Sequence, residues 1–135
     1  MRFKDELALT GDGDAIWRRV SDLGAIPTYW VAIRSVEFVR RDEDESIVNI
    51  EFVFGGRSEA RITVDQADRT LLIFYTAGAL TGTHRASVNR NRLVVELDVT
   101  FHGTYRLLSP LESERFRSEA RQALERLVAP ESENG

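Results

Sequence analysis

The stretch Thr10–Trp30 reads TGDGDAIWRRVSDLGAIPTYW. Two glycines with one residue between them, and two aspartates flanking the second, allow three readings: a phosphate cradle, a metal loop, or the handover from a strand to a helix. A dinucleotide fingerprint needs a third small residue where Ile16 stands, and phosphates would meet two carboxylates. A P-loop needs Gly-Lys-Ser/Thr, which is absent. A calcium hand needs a twelve-residue loop ending in glutamate, which is absent too. The structural reading remains. Gly11 ends a strand, Asp12 is the N-cap, and Asp14 in the first turn complements the helix dipole. Ile16, Trp17, Val20 and Leu23 then recur at helical spacing, and Gly24 closes the helix. AIPTYWVAI predicts a second short helical turn with Pro27 near its start.

Upstream, Phe3, Asp5, Leu7 and Leu9 alternate with Arg2, Lys4, Glu6 and Ala8, a strand whose apolar face has Asp5 as its exception. Downstream, strands dominate. RSVEFVRR runs into the acidic turn DEDE. SIVNIEFVF puts Val48, Ile50, Phe52 and Phe54 on one face, and SEARITVD puts Ser58, Ala60, Ile62 and Val64 on one face. Pairing Phe52 with Ala60 and Ile50 with Ile62 keeps both apolar faces together. It sets Glu51 opposite Arg61 and needs a three-residue loop, Gly55–Arg57, with a left-handed glycine. TLLIFYTA is the next strand, and Gly78 permits the turn after it. LTGTHRASV and RLVVELDVTF form a hairpin through NRN. A register pairing Val88 with Leu93 puts His84 opposite Leu97, with Leu80, Gly82, Ala86 and Val88 on the same inner face. Glu96, Asp98, Thr100 and His102 look outward.

The last segment is helical. Ser109 or Ser113 can cap it, and Leu111, Phe116, Ala120, Ala123, Leu124, Leu127 and Val128 make its apolar stripe. Arg115/Glu119 and Arg121/Glu125 sit at surface ion-pair spacing. Pro130 ends it. Residues 1–129 are expected to form one domain, and residues 130–135 a polar tail with no reason to be ordered.

Composition narrows the function. A chain of 135 residues suits one domain and needs no disulfide or structural metal. It has no cysteine, so thiol catalysis, disulfides and cysteine-ligated zinc are excluded. A net charge of −4 and a pI near 5.3 argue against a nucleic-acid binder. No apolar run approaches bilayer length, so stable membrane insertion is not expected, and the chain reads as cytoplasmic. Two histidines and outward acids give no metal-ligand spacing, no nucleophile elbow exists, and no cofactor is implied. Arg18, Arg19, Arg40 and Arg41 read as solvated faces.

The predicted architecture is α+β: about seven strands in a curved antiparallel sheet, order β-α-α-β6-α, wrapped around a long C-terminal helix. In that order the chain resembles the START-like helix-grip superfamily (SRPBCC; polyketide cyclase/dehydrase and lipid transport). The resemblance rests on DAIWRRVSDLGAIPTYW as the early helix pair, IRSVEFV as the strand after it, GALTGTHRASVNRNRLVVELDVTFHG as glycine-punctuated late strands, and the terminal helix. The late strands are most similar to the CoxG-like members, which are related to carbon monoxide dehydrogenase. The resemblance spans Phe3 to Val128. It implies an elongated cavity between sheet and helix that takes a small hydrophobic ligand such as a lipid, polyketide or quinone.

Within such a cavity, alternation directs Phe52, Phe54, Ala60, Ile62, His84, Leu97, Val99 and Phe101 inward, with Phe116 on the helix stripe. Trp30 and Tyr75 join them by family position and aromatic character. Any one of these equally fits ordinary core. His84 is the polar mark on an apolar face, suited to orienting a ligand or to acid–base work near neutral pH. Three functions follow: a carrier or sensor of a hydrophobic molecule; a cyclase or dehydratase using His84 with Tyr75 or Asp5; or an assembly module for a redox enzyme. The third would dock a protein partner or a second copy through Ile26, Tyr29, Trp30 and Val31.

Overall fold

Seven strands pair in the order β1-β7-β6-β5-β4-β3-β2, every pair antiparallel. They are β1 (Arg2–Ala8), β2 (Ile33–Arg40), β3 (Glu45–Phe52), β4 (Arg57–Asp65), β5 (Thr70–Gly78), β6 (Leu80–Asn89) and β7 (Arg92–Phe101). Helices α1 (Gly13–Ser21) and α2 (Ile26–Tyr29) fill the gap between β1 and β2, and α3 (Ser109–Val128) ends the fold. The computed structural model describes residues 1–9, 11–89 and 91–128, without the side chains of 107–113 and 116. The expected tail at 130–135, the cap at Ser109 or Ser113, and the side chains of Leu111 and Phe116 fall outside the described residues.

The opening stretch folds as a handover. The Asp12 carboxylate accepts from the Asp14 amide at 2.9 Å and caps α1. Asp14 pairs with Arg69 at the start of β5, so it ties helix to sheet as well as facing the dipole. Ile16, Trp17 and Val20 are buried. Gly24 does not close α1. The helix stops at Ser21, the Asp22 amide donates to the Arg19 carbonyl, and Leu23–Ala25 makes a tight 3₁₀ turn into α2. That turn satisfies the helix-end carbonyls without a left-handed glycine. Pro27 stands in the first turn of α2, as expected.

The β6–β7 register is the one read from alternation: Val88 pairs with Leu93 and His84 with Leu97. The β3–β4 register differs. Val48, not Phe52, faces Ala60, and Ser46, not Ile50, faces Ile62. Arg61 faces Ile47, and Glu51 lies opposite Arg57 while its carboxylate meets Arg34 at 3.4 Å. A slip of this size keeps every side chain on its face, so alternation cannot detect it. The turn decides. Phe52 and Gly56 close the hairpin (N···O 2.8 Å) around Val53, Phe54 and Gly55, with Gly55 at φ 101°. The three-residue loop with a left-handed glycine exists, two residues earlier than expected.

The core lies between the inner sheet face and the helices. α3 packs against β1, β7, α1 and α2. Its inward residues Ala120, Ala123, Leu124 and Leu127 are almost wholly buried. Two of these four are alanine, so the helix can settle close to the strands beneath it. Asp5, the exception on β1, faces this helix and accepts from Arg121 at 3.0 Å. Arg121 thus pairs across to the sheet rather than with Glu125. Glu119 does meet Arg115, at 3.2 Å, but it is buried rather than a surface partner.

Candidate ligand-binding site

His84 is placed by β6. Its backbone pairs with Ile73 on one side and Leu97 on the other, which fixes its side chain on the inner face. It is 5% exposed, and its ring centroid lies 4.3 Å from that of Trp30, tilted by 47°. No group among the described residues hydrogen-bonds its Nδ1. Burial lowers the imidazole pKa to about 4, so the ring is neutral at pH 7. A neutral imidazole carries one donor and one acceptor nitrogen.

A gap of about 10 Å³ opens beside it, lined by Ile26, Tyr29, Trp30, Leu71, Ile73, His84, Ala86, Val95 and Leu127. That is room for roughly one water molecule. The elongated cavity expected from the resemblance is therefore closed down to a small space at one end of the interior. Outside it, a groove of about 450 Å³ runs between α1, α2 and the end of α3. Tyr29 and Leu127 line both spaces and form the partition between them. Arg19 donates to the Leu127 carbonyl at 2.8 Å and holds the end of α3 there. The Tyr29 hydroxyl points to the Val20 carbonyl at 3.5 Å, and burial with the nearby Asp22 charge raises its pKa.

Of the expected cavity residues, Trp30 and His84 line the gap. Phe52, Ala60, Ile62, Tyr75, Leu97, Val99 and Phe101 are buried in the surrounding core. Phe54 is half-buried in an aromatic cluster with Phe52, Phe101 and Tyr105. Phe116 falls outside the described side chains. Ile73, Ala86 and Val95 line the gap as well, and the sequence did not mark them as cavity residues. Their signal was present: each is a same-face neighbour of His84 along β6 or across the flanking strands.

The geometry also bears on acid–base chemistry. Asp5 is engaged by Arg121. Tyr75 lies opposite Gly82, so it is a diagonal neighbour of His84 on the inner face, and burial raises its pKa. Ile26, Tyr29 and Trp30 are buried and Val31 is half-buried, so these residues do not form the exposed patch expected for docking. Among the described residues no cluster of three metal-ligating side chains exists, and no helix is long and apolar enough to cross a membrane.

No protein-family model and no curated protein matches the chain in sequence. Solved structures do match. A Thermus thermophilus protein superposes with TM-score 0.78 at 16% identity, covering 95% of this chain and 94% of that one. An aromatase/cyclase of Streptomyces gives 0.73 at 13% identity, covering 94% and 93%. A START superfamily protein of Mycobacterium smegmatis gives 0.63 at 16% identity, covering 93% and 98%. The chain has the START-like helix-grip fold: a seven-stranded antiparallel sheet closed by a C-terminal helix.

Proposed function

We propose that this protein binds a small, compact hydrophobic molecule between the sheet and α3, at the gap beside His84. The observation that carries the reading is the orphaned His84 Nδ1 in an otherwise apolar pocket wall. A buried polar atom without a partner costs about 1–3 kcal/mol, and such a cost persists where the group has another use. A ligand hydroxyl or carbonyl could complete it. The structural likeness to an aromatase/cyclase and to a STAR-related lipid transfer protein supports a hydrophobic ligand for this fold.

The closed gap sets a condition on the ligand. It is far below the ~300–1,000 Å³ of ordinary small-molecule pockets. Entry requires Tyr29 and Leu127 to swing outward and the end of α3 to lift. A compact ligand that needs little displacement is favoured over a long acyl chain. The test is native mass spectrometry of gently purified wild-type and His84→Leu protein. A retained small molecule lost or exchanged in the variant, with folding intact, supports the reading. Identical ligand content in both assigns His84 a purely structural role.

A further inference from the structure

We propose that the outer groove holds the anionic head of the ligand, so that the protein takes a compact amphiphile carrying one carboxylate. This rests on the reading that an apolar body enters the gap beside His84. The groove shares Tyr29 and Leu127 with that gap, so a molecule threading between them has its polar end in the groove.

The charges of the groove select the head. Arg19 and Arg126 line it, against a single carboxylate, Asp22. Two guanidinium groups facing one acid make a locally positive mouth on a chain whose net charge is −4. Arg19 is already oriented at the mouth by its Nη1 bond to the Leu127 carbonyl. Arg126 is exposed on the last turns of α3, one residue before the partition. Arginine presents a planar fork that matches a carboxylate with paired hydrogen bonds, so this pair favours an oxyanion over an alcohol and repels an amine. The excess of one positive charge suits a monoanion.

Three probes with one bicyclic body separate the two claims: naphthylacetate, naphthylethanol and naphthylethylamine, titrated by calorimetry. The expected order is acid, alcohol, amine, with the acid about tenfold tighter than the alcohol. Arg126→Gln is expected to bring the acid close to the alcohol while leaving the alcohol unchanged. The acid's advantage should shrink as salt is raised past ~0.5 M. Equal binding of acid and alcohol, or an advantage that survives Arg126→Gln, overturns the headgroup assignment and leaves the apolar site standing. Absence of binding by all three removes both. Binding of naphthylethanol with NMR shifts confined to the groove removes the interior reading instead.

Discussion

The imidazole of His84 lies against the indole of Trp30 at 4.3 Å between ring centroids, inside a wall that is otherwise apolar. This contact places the sole buried histidine where its charge is penalised. Its pKa falls to about 4, below the ordinary value of 6.5. The unfolded chain therefore takes up a proton near pH 6.5 that the folded protein refuses until about pH 4. Stability is fully present above pH 6.5, is lost as pH falls through that window, and changes no further from this group below it. At about 1.4 kcal/mol per unit, the loss from His84 is roughly 3 kcal/mol. Urea unfolding between pH 7 and 4.5 should show this slope in the wild type and lose most of it in His84→Leu. An unchanged slope in the variant would place the effect on other groups.

Gly82 sits two residues before His84 at φ 126°, and a Cβ there would overlap the Asp98 carbonyl oxygen. Backbone, not a movable side chain, blocks the position. Gly82→Ala is expected to destabilise by at least about 1–3 kcal/mol, through both the left-handed conformation and the clash. Thermal unfolding measures it, and a wild-type midpoint would show that β6 can flatten at no cost.

Leu127 is 2% exposed and separates the gap from the outer groove. Leu127→Ala should cost about 2–5 kcal/mol of stability. It should also speed association and dissociation of a neutral apolar probe by opening the partition. Stopped-flow fluorescence of Trp30 and Trp17 reads both rates; rates equal to wild type would move the entrance elsewhere.

Ala86 lines the gap from β6. Ala86→Leu fills the gap from within, at a strain cost of about 1–3 kcal/mol. The variant should fold and fail to bind naphthylethanol. Binding at wild-type strength by a folded Ala86→Leu protein would place the ligand outside the interior.

Much of this was legible in the residues. Asp12 and Asp14 mark the start of α1 because a cap and a dipole partner are local chemistry, and both are found there. The β6–β7 register was legible because its short turn leaves few ways to align the two apolar faces. The β3–β4 register was not, since an even slip preserves alternation and only the backbone of Val53–Gly55 chooses between alternatives. His84 was legible as a polar residue on an apolar face. Its partners were harder: Ile73, Val95 and Leu127 come from three elements, and no periodicity within one strand shows which distant side chains share a wall. The extent of closure was illegible for the same reason. It depends on how near the Ala120/Ala123 face lets α3 approach the sheet.

The most direct test follows the methyl groups of Ile73, Val95 and Leu127 by NMR as naphthylethanol is added to the full chain. Saturable shifts concentrated on these three are expected, with intermolecular contacts from the naphthalene ring to Ile73 and Val95. Interior methyls that stay unmoved up to the solubility limit of the probe, or shifts restricted to exposed residues, would contradict binding between the sheet and α3.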